Sequence, residues 1–206
     1  VTTRATVKPS YFDAMYRAAA DPWGLESRWY ERRKYAITVA LLPRERYDRA
    51  FEPGCSIGVL TSLLAQRCAA LLSCDGAPAA VAAAQARTGH LPNVTVERRR
   101  IPQDWPPGEF DLIIFSEFLY YFGDRDLGDV VDLAVAALRP GGTLLAVHWR
   151  HPVAEHARDG DDVHRVLAAR PGLARLVSHW EPDFVAEIYI RTEGKPMSVA
   201  QATGLA

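Results

Sequence analysis

From Tyr47 onward, short apolar runs alternate with helix-period segments, and this rhythm restricts the fold of the 206-residue chain more than any other feature. Asp48–Glu52, Ala70–Cys74, Asn93–Arg98, Phe110–Phe115 and Thr143–Val147 have strand length. Val59–Arg67, Ala77–Thr88 and Asp126–Leu138 between them have helical spacing. Strands joined through helices run parallel by right-handed crossovers, so the rhythm predicts an open α/β sheet. Phe110–Phe115 reads as a strand buried on both faces. Then the rhythm breaks. Gly160–Arg170 is helical, and Leu173–Trp180 and Phe184–Arg191 flank Glu181-Pro182-Asp183. Strands joined by so few residues must be antiparallel, because a parallel pair needs a long crossover. The expectation is a seven-stranded, mostly parallel sheet with one reversed strand.

Ahead of this core, Val1–Ser10 reads as a frayed arm and Tyr11–Ala20 as a short helix, interrupted by turn residues Asp21-Pro22-Trp23-Gly24. Ser27 is positioned to cap a second helix running to about Leu42, where Pro43 stops it. One domain is expected, with residues 1–46 as a helical lid, 47–192 as the core and 193–206 as a loose tail.

Within the core, the stretch from Phe51 to Leu60 reads as a strand end, a turn with Gly54 and Gly58, and a helix start. Glycines let a backbone approach a ligand where a Cβ would obstruct it, and the following helix aims free N–H groups into the turn. Glu52 precedes the turn, and Asp75 ends the next strand. Two carboxylates at successive strand ends, with glycines between, suit a nucleoside-bearing cofactor better than a phosphate chain. A dinucleotide fingerprint needs Gly-x-Gly-x-x-Gly, and aligned on Gly54 the chain has Ser56 and Val59 instead, which counts against a nicotinamide-dependent oxidoreductase.

A formal net charge of −1 offers no basic field for nucleic acid or an acidic membrane. Cys55, Cys68 and Cys74 lack CxxC spacing and read as free thiols in a reducing compartment. No apolar stretch is long enough to span a bilayer and no signal pattern opens the chain, so a cytoplasmic protein is expected. His148, His151 and His156 straddle a strand end and a Pro152-containing loop, which argues against a metal site.

The acidic-x-Gly-x-Gly-x-Gly loop of class I S-adenosylmethionine-dependent methyltransferases is approximated by Glu52, Gly54 and Gly58, with Ser56 in place of the middle glycine. Asp75, Phe110-Asp111-Leu112-Ile113 and Leu138-Arg139-Pro140-Gly141-Gly142 follow in order, so Tyr47–Arg191 resembles that Rossmann-like methyltransferase fold. A narrower set comprises Asp21-Pro22-Trp23, Tyr30-Glu31-x-x-Lys34, Pro102–Pro106, Ser116–Tyr121 and His148-Trp149-Arg150. These resemble the nodulation N-methyltransferase (NodS-type) family, whose members methylate the free amine of a chitooligosaccharide.

The resemblance implies S-adenosyl-L-methionine as cofactor and an amine on a small or oligosaccharide-like acceptor. Glu52, Gly54, Cys55, Ser56 and Gly58 would surround the amino-acid end of the cofactor. Asp75 would hold the ribose diol with its two acceptor oxygens, and Gly76 and Ala77 leave room for the adenosine. Arg100 stands where many methyltransferases carry an Asp, so the base contact is expected from the backbone of Arg100 and Ile101. Ser116 and Glu117 would face the transferable methyl, and Tyr120 would wall the acceptor pocket with Tyr121. Glu117 or His148 would orient the amine and accept its proton. Trp23, Tyr30 and Lys34 would close over the cofactor. O-methyl transfer and a non-catalytic cofactor-binding module stay open at this point; the latter gains if side chains fill the space beyond Ser116.

Overall fold

The computed structural model describes residues 4–206. Two helices come first, α1 (Pro9–Ala18) and α2 (Trp29–Ala40). The core follows as β1 (Tyr47–Pro53), α3 (Val59–Leu64), β2 (Cys68–Asp75), α4 (Pro78–Thr88), β3 (Val94–Arg98) and β4 (Phe110–Ser116). It continues with α5 (Asp124–Ala137), β5 (Leu138–Trp149), α6 (Gly160–Ala168), β6 (Leu173–Trp180) and β7 (Phe184–Arg191), and a short α7 (Val199–Ala202) follows. The seven strands form one sheet in the order β3-β2-β1-β4-β5-β7-β6. Strands β1 to β5 run parallel, and β7 is antiparallel to both its neighbours, β5 and β6. The single reversed strand is the one expected.

The sheet is buried on both faces. Leu112, Ile114, Leu145 and Val147 point toward α2 and α3, where Tyr35, Leu60 and Leu64 meet them. Ile113, Phe115, Leu144 and Ala146 point toward α5 and α6, meeting Leu127, Val131, Val163 and Leu167. That double burial is why β4 lacks the polar alternation of a half-exposed strand. The chain departs from β1 to one side, through β2 and β3, and returns to the other side at β4. This reversal leaves a crevice at the carboxyl ends of β1 and β4, where ligands bind in open α/β sheets.

Three local expectations are corrected. Arg139–Gly142 does not separate a helix from a strand: Phe110 pairs with Leu138 but Leu112 with Thr143, so these residues bulge out of a longer β5. Ser27 does not cap α2, whose N-cap is Arg28 in extended conformation; instead Asp21 accepts the N–H groups of Leu25 and Glu26. The expected arm lies partly outside the described residues, but from Arg4 on it is docked. Val7 N–H donates to Tyr121 O, Gly123 N–H to Thr6 Oγ1, and Arg4 pairs with Asp162. A side chain at 123 would collide with the Arg4–Ala5 backbone, so Gly123 permits that docking. The tail is largely exposed and carries one capped turn of helix held by the reciprocal bonds of Ser198 and Gln201.

Candidate active site

The crevice holds a cavity of about 520 Å³, inside the ~300–1,000 Å³ range of small-molecule sites. One end is built by the two carboxylate-bearing strand ends. Gly54 and Cys55 N–H both donate to Cys74 O, at 2.7 and 3.0 Å, which pins the turn to β2. Gly54 and Ser56 adopt positive φ (74° and 50°), so Ser56 occupies a conformation that ordinarily favours glycine. Its hydroxyl lies 2.6 Å from Tyr16 Oη, tying the turn to α1. A Cβ at Gly54 would strike the Phe118 ring. At Gly58 (φ 78°) it would lie 3.0 Å from Ala84 Cα. Gly58 therefore serves close packing of α3 on α4; it does not line the cavity, as the turn reading had expected.

Asp75 joins the two loops. Its Oδ2 accepts Ser56 N–H at 3.1 Å and its Oδ1 accepts Ala77 N–H at 2.9 Å. Each carboxylate oxygen has about two lone-pair sites, so one per oxygen stays available toward the cavity. Burial raises the Asp75 pKa, and the amides of Ala77, Ser56 and Gly76 pull against that rise. Gly76, Ala77, Arg100 and Ile101 line the same end. The Arg100 amide is already committed to Asp104 Oδ2 at 3.0 Å, which removes it as a base contact and leaves Ile101 from that expected pair.

Glu52 is 2% exposed yet reaches the cavity wall. Its Oε2 accepts the hydroxyls of Thr61 (2.6 Å) and Ser73 (2.8 Å), but burial still lifts its pKa from 4.5 to about 7. A carboxyl with a raised folded pKa binds its proton more tightly in the folded state. Its stabilising contribution is full below pH 4.5 and is lost as pH rises to about 7. The Glu52→Gln variant should remove that slope. Its stability relative to wild type should rise by about 3 kcal/mol between pH 4.5 and 7, read by urea unfolding at a series of pH values. A pH-independent difference between the two proteins would show that Glu52 is not desolvated.

At the other end, Ser116 closes β4 and Glu117 follows at φ 52°. Glu117 Oε1 accepts Lys34 Nζ at 2.8 Å, and Oε2 accepts Tyr120 Oη at 2.5 Å and Trp149 N–H at 3.0 Å. Lys34 also lies 2.9 Å from Glu31 Oε2. Burial pulls the Lys34 pKa down, but the two carboxylates outweigh it and the net shift is upward, so the ammonium stays charged. The aromatic walls include Tyr16, Trp23, Tyr30, Phe118, Tyr120, Tyr121 and Trp149, with His156 stacked on Tyr120 at 4.0 Å between ring centroids. Tyr30 Oη is buried in this wall with no hydrogen-bond partner among the described residues.

The structure thus brings Glu52, Gly54, Cys55, Ser56, Asp75, Gly76, Ala77, Ile101, Ser116, Glu117, Tyr120, Trp23 and Tyr30 to one cavity, with Arg100 at its wall. His148 is apart from them, fully buried behind the wall. Glu31, Tyr16, Trp149 and His156 are additional lining residues. The spacing of Glu31 and Lys34 is that of a helix ion pair, a signal visible in the sequence; their burial was not. The space beyond Ser116 is open, which removes the observation that would have favoured a non-catalytic module. Among the described residues, no group of three His, Cys, Asp or Glu could hold a metal ion, and no helix is long and apolar enough to cross a membrane.

The sequence model of the family "Nodulation protein S (NodS)" matches residues 14–163, most of the chain. The chain belongs to the NodS family. Nodulation protein S of Rhizobium tropici is 32% identical over 130 residues, covering 62% of this chain and 55% of that protein. Nodulation protein S of Bradyrhizobium diazoefficiens is 33% identical over 133 residues, covering 62% of each. The matched stretch thus spans a little over half the length of these relatives. Among solved structures, the N-methyltransferase NodS of Bradyrhizobium japonicum in complex with S-adenosyl-L-homocysteine superposes with a TM-score of 0.79. The identity is 26%, covering 87% of this chain and 97% of that one. A putative methyltransferase from Pseudomonas syringae is 48% identical, with a TM-score of 0.72, covering 80% of this chain and all of that one. The fold is that of the Rossmann-like class I methyltransferases, as the sequence of elements had implied.

Proposed function

We propose that the chain is an S-adenosyl-L-methionine-dependent methyltransferase that methylates an amine nitrogen on a small or sugar-like acceptor. The observation that carries this reading is the continuity of one cavity from the Asp75 carboxylate to the Glu117 carboxylate. The cofactor supplies an electrophilic methyl on a sulfonium, and in-line attack by the amine lone pair sends the C–S electron pair to sulfur. The remaining work is positional, and the protein's residues are suited to it.

Asp75 offers one free lone pair on each oxygen to the two hydroxyls of a ribose. Ile101 N–H is read as the base contact, and Glu52 as the partner of a cationic amino group, whose arrival would favour the ionised carboxylate. Tyr30 Oη, buried without a partner among the described residues, is a donor that a ligand would satisfy. A strong anion close to sulfur would stabilise the sulfonium ground state, which transfer discharges; Glu52 and Asp75 are therefore read as contacts to the distant ends of the cofactor.

At the acceptor end, Glu117 takes an N–H of the amine and turns the lone pair toward the methyl. Because Lys34 already compensates that carboxylate, Glu117 orients the nitrogen without a full unbalanced charge that would hold it protonated. The aromatic walls desolvate the amine, which lowers its pKa and supplies the free lone pair. We read residues 1–46 as a lid, since the arm, α1, the α1–α2 connection and α2 contribute Thr6, Phe12, Tyr16, Trp23 and Tyr30 to the cavity wall.

A panel of amines, the matching N-acetylated compounds and hydroxyl-only analogues, incubated with S-adenosyl-L-methionine and read by mass spectrometry, tests this. A glucosamine-type free amine should gain a methyl group and its acetylated form should not. Methylation confined to hydroxyl acceptors would replace the reading with O-methyl transfer.

A further inference from the structure

Behind the acceptor end lies a buried polar chain that the proposed reaction does not use. Leu119 N–H donates to His148 Nε2 at 3.2 Å. His148 Nδ1 lies 3.1 Å from His164 Nε2 on α6, and His164 Nδ1 lies 2.7 Å from Glu187 Oε2 on β7. Glu187 also accepts Arg175 Nη1 at 2.8 Å, Ser178 Oγ at 3.0 Å and the hydroxyl of Tyr189. His148, His164 and Glu187 are all buried.

The direction of every bond is determined by its ends. A backbone amide only donates, so His148 Nε2 is an acceptor and the neutral ring carries its proton on Nδ1. That proton faces His164 Nε2, which must then accept. His164 in turn carries its proton on Nδ1 and gives it to the Glu187 carboxylate. Burial holds the His148 pKa well below its usual value and keeps the ring neutral.

The other end of the chain is where function enters. Leu119 belongs to the segment 116–121 that carries Glu117 and Tyr120. Glu117 is a non-glycine residue at φ 52°, a conformation that persists only where the surroundings impose it. Three successive residues at the end of β5 grip this segment. Val147 O accepts Glu117 N–H at 2.8 Å, Trp149 N–H donates to Glu117 Oε2 at 3.0 Å, and His148 between them holds Leu119. The outer two grips use the β5 backbone and would survive substitution there. Only the middle one depends on a β5 side chain.

We propose that His148 is a positioning residue: its Nε2, with the tautomer set by His164 and Glu187, anchors Leu119 and so holds Glu117 and Tyr120 where the acceptor meets them. This rests on the reading of Glu117 as the acceptor-facing group. It takes the place of the proton-acceptor role expected for His148, whose Nε2 is occupied by an amide and whose ring does not line the cavity.

Glutamine and asparagine at this position separate the two roles. The amide oxygen of Gln reaches the place of Nε2 and can still accept Leu119 N–H, whereas Asn reaches only the place of Nδ1. The His148→Asn variant should lose about 10- to 100-fold in kcat, the scale expected when a buried amide in the site is left without its acceptor. KM for S-adenosyl-L-methionine should stay within about 2-fold, since the cofactor end is untouched. His148→Gln should recover kcat to within about 3-fold of wild type. If His148→Gln is as inactive as His148→Asn, the ring is a proton acceptor and the proposal is overturned. Wild-type kcat in His148→Asn overturns it equally. Because either variant of a core residue can fail to fold, long-range proton–nitrogen NMR of the wild-type protein supplies a second measurement. Both His148 and His164 should be protonated on Nδ1; a proton on His148 Nε2 would refute the anchor. The spectra involve no acceptor, so an enzyme inert toward amines would sink the functional reading while the tautomers still decide this one.

Discussion

Asp75→Ala should weaken binding of S-adenosyl-L-homocysteine by about 100-fold or more, measured by isothermal titration calorimetry. The two free lone pairs of the carboxylate are the groups that would hold a ribose diol, and charge-assisted hydrogen bonds are worth ~1.5–3 kcal/mol each. Losing both therefore corresponds to about 3 kcal/mol or more, which is two decades in affinity. A second effect has the same sign: Ser56 and Ala77 N–H lose their acceptor, so the turn that carries Gly54 and Cys55 loosens. Asp75→Asn should not rescue binding, because one of the two oxygens becomes an NH₂ facing an N–H. Circular dichroism should show the variant folded, since the sheet does not depend on this carboxylate. A dissociation constant within about 3-fold of wild type would remove Asp75 from the cofactor site, and with it the main support for the proposed cofactor.

The framework was readable because its determinants are local. β6 and β7 stand at Leu173–Trp180 and Phe184–Arg191, as expected, since three intervening residues allow only a hairpin. The turn after β1 was equally legible, since Glu52, Gly54 and Asp75 do meet at one cavity. Gly58 was misread because its spacing places it in the turn, while its actual neighbour, Ala84, lies 26 positions on and belongs to a helix whose packing no spacing reveals. His148 shares a face of β5 with Leu144 and Ala146, toward α6; period-2 reasoning puts it in that layer but cannot say that His164 and Glu187 wait there. The docked arm was hidden for a related reason. Residues 4–8 have no periodicity of their own, and their partners Tyr121, Gly123, Asp124 and Asp126 form a site only once α5 is in place. What escaped was the set of contacts made between distant segments.

Glu117→Gln should lower kcat for amine methylation by about 100-fold while leaving S-adenosyl-L-homocysteine affinity near wild type, if, as proposed, the carboxylate meets the acceptor and not the cofactor. The isosteric amide keeps one acceptor oxygen but turns an NH₂ toward either Lys34 Nζ or the pair formed by Tyr120 Oη and Trp149 N–H, all of which are donors here. The segment must twist to avoid that opposition, and the nitrogen of the acceptor loses its partner. Lys34 supplies the control that distinguishes charge from geometry. Lys34→Met alone strands the buried carboxylate of Glu31 and the half-buried one of Glu117 and should destabilise the fold by about 3–5 kcal/mol. Adding Glu117→Gln to Lys34→Met removes one of the stranded charges, so stability should partly return while turnover does not. Recovery of both together would mean that Glu117 exists to neutralise Lys34. Recovery of stability without turnover assigns the carboxylate to the acceptor and leaves Lys34 as the group that lets a half-buried anion stand beside an amine without holding it protonated.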